Sequence, residues 1–165
     1  MTTKEKLLAL LEDSKGTFFS GEEIARTLQV SRAAVWKAVN ALREDGYTVD
    51  AATNKGYRLS PDSDILSPQG IRRFLKPEYR DLDLTVLPTA PSTNALVREK
   101  ANQGRPEGCV IVACEQTDGR GRYGRQFFSP VDSGVYLSLL LRPTAYSPQQ
   151  ATCLTAAAAA AMCQA

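Results

Sequence analysis

The sequence predicts an α+β protein in two parts, and three observations support this class. Residues 4–46 carry three amphipathic helical patterns, whereas the second half contains apolar runs of strand length. Residues 60–80 lie between the two parts and contain three prolines without a sustained periodicity. We therefore expect a first domain, a linker and a second domain, at residues 1–60, 61–80 and 81–165.

Composition and charge indicate an ordinary soluble globular protein. The chain has 165 residues, a formal net charge of +2, 43% hydrophobic residues and 23% charged residues. No apolar run approaches the roughly 20 residues that cross a bilayer, and the N-terminal helical pattern is too acidic for a signal peptide. We therefore expect a cytoplasmic protein without a membrane partner.

Residue types that carry much of enzyme chemistry are scarce. The chain contains no histidine, which excludes Ser-His and Cys-His nucleophile pairs. Its four cysteines form no C-x-x-C pair, so we expect no metal site made from them. Buried free thiols are the simpler interpretation of Cys109, Cys114, Cys153 and Cys163.

The first domain is expected to begin with three helices. The first covers residues 4–13, and the second follows Ser20, which has the capping-box spacing from Glu23. The third covers residues 32–44 and is capped by Ser31. The expected buried faces are Leu7, Leu8, Leu10 and Leu11, then Ile24, Ala25 and Leu28, then Val35, Trp36, Val39 and Leu42.

A hairpin is expected after the third helix, with strands at residues 47–51 and 56–59. Helix, helix, tight turn, helix and hairpin is the order of a winged helix-turn-helix. In such a domain the last helix enters the DNA major groove while the preceding helix braces it. The same pattern also fits a packing or dimerisation module whose charged residues are ordinary surface.

The expected DNA-binding residues lie on the third helix and at the tip of the hairpin, or wing. Arg32 suits a guanine edge or a phosphate, and Asn40 suits an adenine or the backbone. Lys55 at the wing tip suits a phosphate or the minor groove. The full set is Ser31, Arg32, Ala33, Lys37, Asn40 and Lys55.

The linker is expected to hold one short helix, at residues 71–75. In the second domain a Pro-Thr-Ala-Pro turn at residues 88–91 precedes a helix at 93–102, which Ser92 caps. The alanine run at residues 156–161 predicts a helix that packs tightly in a core. The expected strands are residues 82–87, 109–117 and 134–142.

The segment GRGRYGRQFF, residues 119–128, contains the pattern G-x-G-x-x-G. A dinucleotide-binding turn would continue into a helix and be followed by an acidic residue on the next strand. Here aromatic residues and Pro130 follow, and the next strand has no acidic residue, so this interpretation fails.

The same segment fits a flexible loop over an anion. Glycines permit close backbone approach, and three arginines offer forked donors to phosphate oxygens. We expect the segment to lack fixed structure until an anionic ligand bridges its arginines. A solvated basic loop without a ligand, or a nucleic-acid contact, remains an alternative.

Several motifs together resemble the biotin protein ligase family. They are Ser-Thr-Asn at residues 92–94, Glu-Gln at 115–116, GRGRYGRQFFSP and GVYLSLLLR. SGEEIARTLQVSRAAVWKAVNALREDGY and the wing NKGYRL resemble the DNA-binding part of the bifunctional members, the biotin operon repressors. The resemblance spans essentially the whole chain and implies that the second domain is the start of a mixed α/β catalytic domain resembling class II synthetases.

The resemblance implies a two-step reaction. Biotin and ATP, with Mg²⁺, give biotinyl-5′-adenylate and pyrophosphate, and the biotinyl group then passes to a lysine of a biotin carboxyl carrier protein. It further implies operator DNA as a partner, homodimerisation when the adenylate is bound, and repression of the biotin operon. A regulator that binds a ligand and DNA without catalysis is the alternative.

The resemblance also assigns site residues. Arg120 and Arg122 match the positions that stabilise the reacting phosphate. The biotin and adenylate positions correspond to Ser92, Thr93, Asn94, Gln116, Gly119, Arg120, Gly121, Arg122 and Phe127. Phe127 stands where the family usually has tryptophan, and no lysine follows Lys100, whereas the family has a Lys-Trp-Pro-Asn-Asp segment further on. We therefore expect a piece of a longer ligase, or a short variant without catalysis, that cannot complete the adenylation site alone.

Overall fold

The computed structural model describes residues 1–131, 133–144, 147 and 150–164, apart from the side chains of Arg122 and Ala151. Helices and strands occur in two compact units, Met1–Asp81 and Leu82–Ala165, and the predicted α+β class is confirmed. No helix in the described part of the chain is both long enough and apolar enough to span a membrane.

The first unit contains the expected three helices and hairpin. The bounds are α1 Thr3–Asp13, α2 Gly21–Leu28, α3 Arg32–Glu44, β1 Val49–Ala52 and β2 Gly56–Leu59. The predicted caps are present, because Ser20 Oγ accepts the Glu23 N–H at 3.1 Å and Ser31 Oγ accepts the Ala34 N–H at 3.2 Å. The two strands pair antiparallel and form the wing.

The core of this unit follows the helical periodicity, with one correction. Val35, Val39 and Leu42 are buried, since they recur at one-turn spacing on the face of α3 that packs against α1 and α2. Trp36 was predicted to be buried with them, but its side chain is 58% exposed. One residue along a helix turns the side chain by about 100°, which carries Trp36 away from the core face.

Part of the predicted linker packs onto α1. Its short helix, α4, covers Pro68–Arg72 instead of residues 71–75, because Ser67 caps it and Pro68 occupies the first helical position. Ser67 and Glu12 are buried side by side, and Arg73 Nη1 donates to the Glu12 carbonyl at 2.7 Å.

The second unit is a sheet with a helix on one face. Its elements are β3 Asp83–Ala90, α5 Thr93–Asn102, β4 Cys109–Gln116, β5 Tyr136–Leu139 and α6 Cys153–Gln164. The described strands have the order β3-β4-β5, with β3 parallel and β5 antiparallel to β4. Val97 of α5 packs against Cys109, Ile111 and Leu140.

Several predicted strand bounds differ from the structure, and β1 covers Val49–Ala52 instead of residues 47–51. The expected turn at residues 88–91 is largely strand, because β3 continues to Ala90. Pro88 is tolerated there because β3 is an edge strand of the described sheet and needs no N–H at that position. At the other edge, β5 is shorter than the predicted run at 134–142.

Two predictions about burial were also wrong. The alanine run forms α6 as expected, but none of the described side chains in that helix is buried. Alanine favours helix formation and does not by itself determine packing. Among the thiols only Cys109 is buried, Cys114 is half-buried, and Cys153 and Cys163 are exposed.

Candidate functional site

The candidate ligand site lies at the carboxyl ends of β3 and β4. Because these strands are parallel, the segments that follow them meet at one edge of the sheet. Thr117 N–H donates to the Ala90 carbonyl at 3.0 Å, and Asp118 N–H donates to the Pro91 carbonyl at 2.8 Å. These bonds join the segment before α5 to the segment that leads into GRGRYGRQFF.

Four side chains form a polar cluster at this edge: Thr93, Gln116, Ser129 and Ser138. The Thr93 N–H donates to Gln116 Oε1 at 2.8 Å, and the Thr93 hydroxyl lies 3.2 Å from the same oxygen. Gln116 Nε2 donates to Ser129 Oγ at 3.1 Å, and Ser138 Oγ donates to Thr93 Oγ1 at 2.9 Å. The cluster therefore ties α5, β4, β5 and the end of the arginine-rich segment together.

Residues 119–127 form a basic hairpin. Along the sequence the hairpin lies between Gln116 and Ser129, two members of the polar cluster. The Gly121 N–H donates to the Arg125 carbonyl at 2.7 Å, and the Phe127 N–H donates to the Gly119 carbonyl at 2.8 Å. A short 3-10 turn, Arg122–Gly124, closes it. We expected no fixed structure here without a ligand; instead, paired backbone groups fold the segment.

Gly119 is the position where the hairpin needs glycine most. It is buried, and a Cβ at this position would lie 2.4 Å from the Phe127 carbonyl oxygen and 2.8 Å from Ser129 Oγ. At Gly121 the corresponding distance, to the Arg125 carbonyl oxygen, is 3.3 Å. Close approach of the two hairpin arms is therefore the physical reason for the first glycine.

The described charged and aromatic side chains of the hairpin face solvent. Arg120 donates from Nε and Nη2 to Asp118 Oδ2 at 3.2 and 2.9 Å, and its side chain is 74% exposed. The side chain of Arg122 lies outside the described part of the structure. Phe127 is 54% exposed and makes an edge-to-face contact with Tyr136, with 6.5 Å between ring centroids.

The structure brings some of the expected ligand residues together and gives another a structural role. Asn94 reaches the polar cluster, where its Oδ1 lies 3.3 Å from Ser138 Oγ. Ser92 is buried and accepts the Ala95 N–H at 3.4 Å, which makes it the cap of α5. Our sequence interpretation missed Ser129 and Ser138. The signal for Ser138 was a hydroxyl inside an otherwise apolar strand pattern.

The expected DNA-binding residues form an open face of the first unit. Arg32, Ala33 and Lys37 are exposed on α3, Ser31 caps that helix, and Asn40 is half-buried. Lys55 is exposed on the wing, with its Nζ 5.9 Å from the centre of the Phe18 ring. The face therefore presents two arms, the helix and the wing, with basic groups on both.

The fold defines a helix-turn-helix unit followed by a mixed α/β unit, and each unit matches a known family. Residues 3–58 match the family described as "HTH domain", and residues 86–165 match the "Biotin/lipoate A/B protein ligase family".

Individual relatives agree with this class. The chain is 41% identical over 142 residues to the "Bifunctional ligase/repressor BirA" of Bacillus subtilis (strain 168), covering 86% of this chain and 44% of that protein. For the protein of the same name from Escherichia coli (strain K12), the identity is 36% over 141 residues, covering 86% of this chain and 42% of the relative. The chain thus spans less than half the length of these relatives. The resemblance inferred from the motifs is confirmed.

Proposed function

We propose that this chain is part of a biotin protein ligase that also acts as a biotin-responsive repressor of the biotin operon. The observation that carries the proposal is the placement of the polar cluster and the basic hairpin at one end of the sheet, joined through Ser129 and Gln116. A site that binds the ureido ring of biotin and joins the biotin carboxylate to a nucleotide requires both hydrogen-bonding groups and phosphate-binding charge.

The polar cluster supplies groups suited to the ureido ring of biotin. That ring presents two N–H donors and one carbonyl acceptor. Thr93 and Ser138 carry hydroxyls that both donate and accept, and the Gln116 and Asn94 amides add further donors and acceptors. Phe127 and its neighbours offer apolar area to cover the bound ring.

The hairpin arginines would act on the adenylation step. A biotin carboxylate oxygen attacks the α-phosphorus of ATP, the bond from that phosphorus to the bridging oxygen breaks, and pyrophosphate leaves. Arg120 and Arg122 would neutralise the negative charge that grows on the α-phosphate oxygens. In the second step a carrier lysine amine attacks the acyl carbon, loses a proton, and AMP leaves.

Arg120 is available for this role despite its ion pair with Asp118. Both side chains are more than half exposed, and exposed pairs contribute only about 0–1 kcal/mol. A phosphate that offers several oxygens can therefore replace the Asp118 carboxylate as the partner of Arg120.

Mg²⁺ would enter with ATP. The described residues contain no group of three or more aspartate, glutamate, histidine or cysteine side chains placed to hold a metal ion. A magnesium ion bound to the substrate phosphates would supply further neutralisation of their charge.

The first unit would bind operator DNA in the cytoplasm. Bound adenylate that bridges the arginines would favour homodimerisation. In a symmetric dimer the two α3 helices would be related by a two-fold axis. Such a dimer requires a palindromic operator. Operator affinity that is equal with and without biotin and ATP would contradict this regulatory part.

The ligase part is tested on the intact gene product with biotin, ATP and a carrier domain. Arg120→Ala should speed biotinyl-adenylate dissociation by about tenfold or more, the loss of one charge-assisted hydrogen bond, with little change in biotin affinity. Arg105→Ala is the matched control, because Arg105 pairs with the exposed Asp83 at the opposite end of β3. An unchanged dissociation rate in the Arg120 variant would refute the assignment of Arg120 to the phosphate. If wild-type protein leaves the carrier unlabelled but binds DNA in a ligand-dependent way, the regulator without catalysis is favoured.

A further inference from the structure

The first unit has a groove between its recognition helix and its wing. The groove has a volume of about 630 Å³, and its lining includes Arg32 and Trp36 from α3 and Thr53, Asn54 and Tyr57 from the wing. No carboxylate lines it, although the chain as a whole carries 18 acidic residues. A groove that contains an arginine and excludes carboxylates suits a polyanion.

Trp36 lies in this groove on the same helical stripe as two of the expected DNA-binding residues. Positions 32, 36 and 40 are each one helical turn apart, so Trp36 stands between Arg32 and Asn40 along the axis of α3. Its side chain is 58% exposed and contributes nothing to the core cluster of this unit. A tryptophan exposed to this extent beside an arginine is typical of a contact surface.

The groove is held open by the backbone. Phe19 and Tyr57 exchange two hydrogen bonds, of 2.9 and 2.8 Å, which clamp β2 of the wing onto the segment before α2. Gly56 permits this approach with φ +95°, because a Cβ there would lie 2.0 Å from the Phe19 carbonyl oxygen. The backbone of this unit therefore fixes the wing against the segment before α2, which lines the groove through Ser20 and Gly21.

DNA geometry indicates what occupies the groove. The inference rests on the proposed DNA binding, and it takes α3 in the major groove with the wing tip at the adjacent minor groove, one of the two positions that suit Lys55. The two grooves of a duplex are separated by one phosphodiester strand. That strand must therefore pass between α3 and the wing.

We propose that Trp36 packs against the deoxyribose of the phosphodiester strand that lies in this groove. The flat indole face suits the apolar edge of the sugar, while the indole N–H can donate only, which suits a phosphate oxygen. Arg32 supplies the charge on the same side. Trp36 is thus an affinity determinant that tolerates any base sequence, because sugars and phosphates are the same in every base pair.

The experiment uses the fact that Trp36 is the single tryptophan of the chain. Its fluorescence in this 165-residue chain is quenched with acrylamide, alone and with a mixed-sequence DNA duplex at low salt. Binding should lower the quenching constant. Trp36→Ala should weaken duplex binding by at least about fivefold without changing the salt dependence, whereas Arg32→Ala should reduce the slope of log K against log salt by about 1. Tyr79→Ala, which removes another exposed aromatic outside the groove, should bind normally.

The outcomes separate this inference from the function on which it rests. If the intact protein binds no duplex at any salt concentration, the proposed DNA binding itself fails. If the protein binds duplex but Trp36 stays equally quenchable, or Trp36→Ala binds as wild type, the packing against the backbone is refuted while DNA binding stands. Two other results would also overturn the proposal. Protection of Trp36 from acrylamide that appears without DNA as the protein concentration rises would assign Trp36 to a contact with a second copy. Protection that is stronger with single-stranded DNA would assign it to base stacking.

Discussion

Replacement of Gly119 by alanine is the sharpest test of the basic hairpin. The added Cβ would lie 2.4 Å from the Phe127 carbonyl oxygen, about 1 Å short of the 3.4 Å at which ordinary contact begins. That oxygen belongs to the backbone, so no side-chain rotation relieves the overlap. The hairpin arms must separate by about the same distance, which would break the 2.8 Å bond from the Phe127 N–H to the Gly119 carbonyl.

Two magnitudes follow from a separation of about 1 Å. Loss of one backbone hydrogen bond costs about 0.5–1.5 kcal/mol of local stability. A misplacement of 1 Å in a group that orients a reacting centre costs about 10²-fold in rate. We therefore expect faster hydrogen exchange at the Phe127 amide, and faster biotinyl-adenylate release together with about 10²-fold slower carrier labelling in the intact protein.

Gly124→Ala is the matched control for this variant. Gly124 has φ +73°, but no atom lies within 4 Å of a Cβ added there, so alanine costs only the backbone strain of about 1–2 kcal/mol. Because the arms of the hairpin keep their distance, adenylate release and carrier labelling should stay near wild type in this variant, and these two rates distinguish it from Gly119→Ala. Wild-type exchange at Phe127 and wild-type adenylate release in Gly119→Ala would refute the close-packing argument.

Two further predictions concern stability. Gly56→Ala should destabilise the first unit by at least about 2 kcal/mol in urea unfolding, because it combines the clash with Phe19 and a positive φ. The control is Gly16→Ala, which has a positive φ but only ordinary contacts and should cost about 1–2 kcal/mol. Equal losses of stability in the two variants would contradict the clash. Burial, with the nearby Asp83 carboxylate, raises the pKa of the Cys109 thiol, so the unfolded chain loses this proton first and stability should fall as pH rises through the ordinary thiol range. Cys109→Ala should flatten that alkaline fall in unfolding midpoint, and alkylation of native protein should reach Cys109 last; early modification of Cys109 would contradict its burial.

Local signals in the sequence predicted most of the elements. Ser20, Ser31 and Ser92 each begin a helix as expected, since a serine oxygen before a helix satisfies an N–H that the helix leaves free. Helix α3 has the predicted bounds, Arg32–Glu44. These features depend on residues within about one turn of each other, and a linear pattern contains them.

Features that depend on distant residues were not predictable in this way. Ser129 and Ser138 are far from Thr93 in sequence, and only strand pairing brings their hydroxyls to the polar cluster. Helix propensity also could not tell that an alanine-rich helix would be exposed, because exposure depends on what packs against the helix.

The sequence by itself determined the order of elements, the helix starts and the positive charge of the arginine-rich segment. It could do so because capping, periodicity and charge are properties of near neighbours. The tertiary structure alone decided that Gln116 joins β4 to the end of the basic hairpin and that Trp36 faces a groove beside the wing. Both facts require segments separated along the chain to meet, and burial and hydrogen bonding across such contacts are settled only when the sheet and the helices pack.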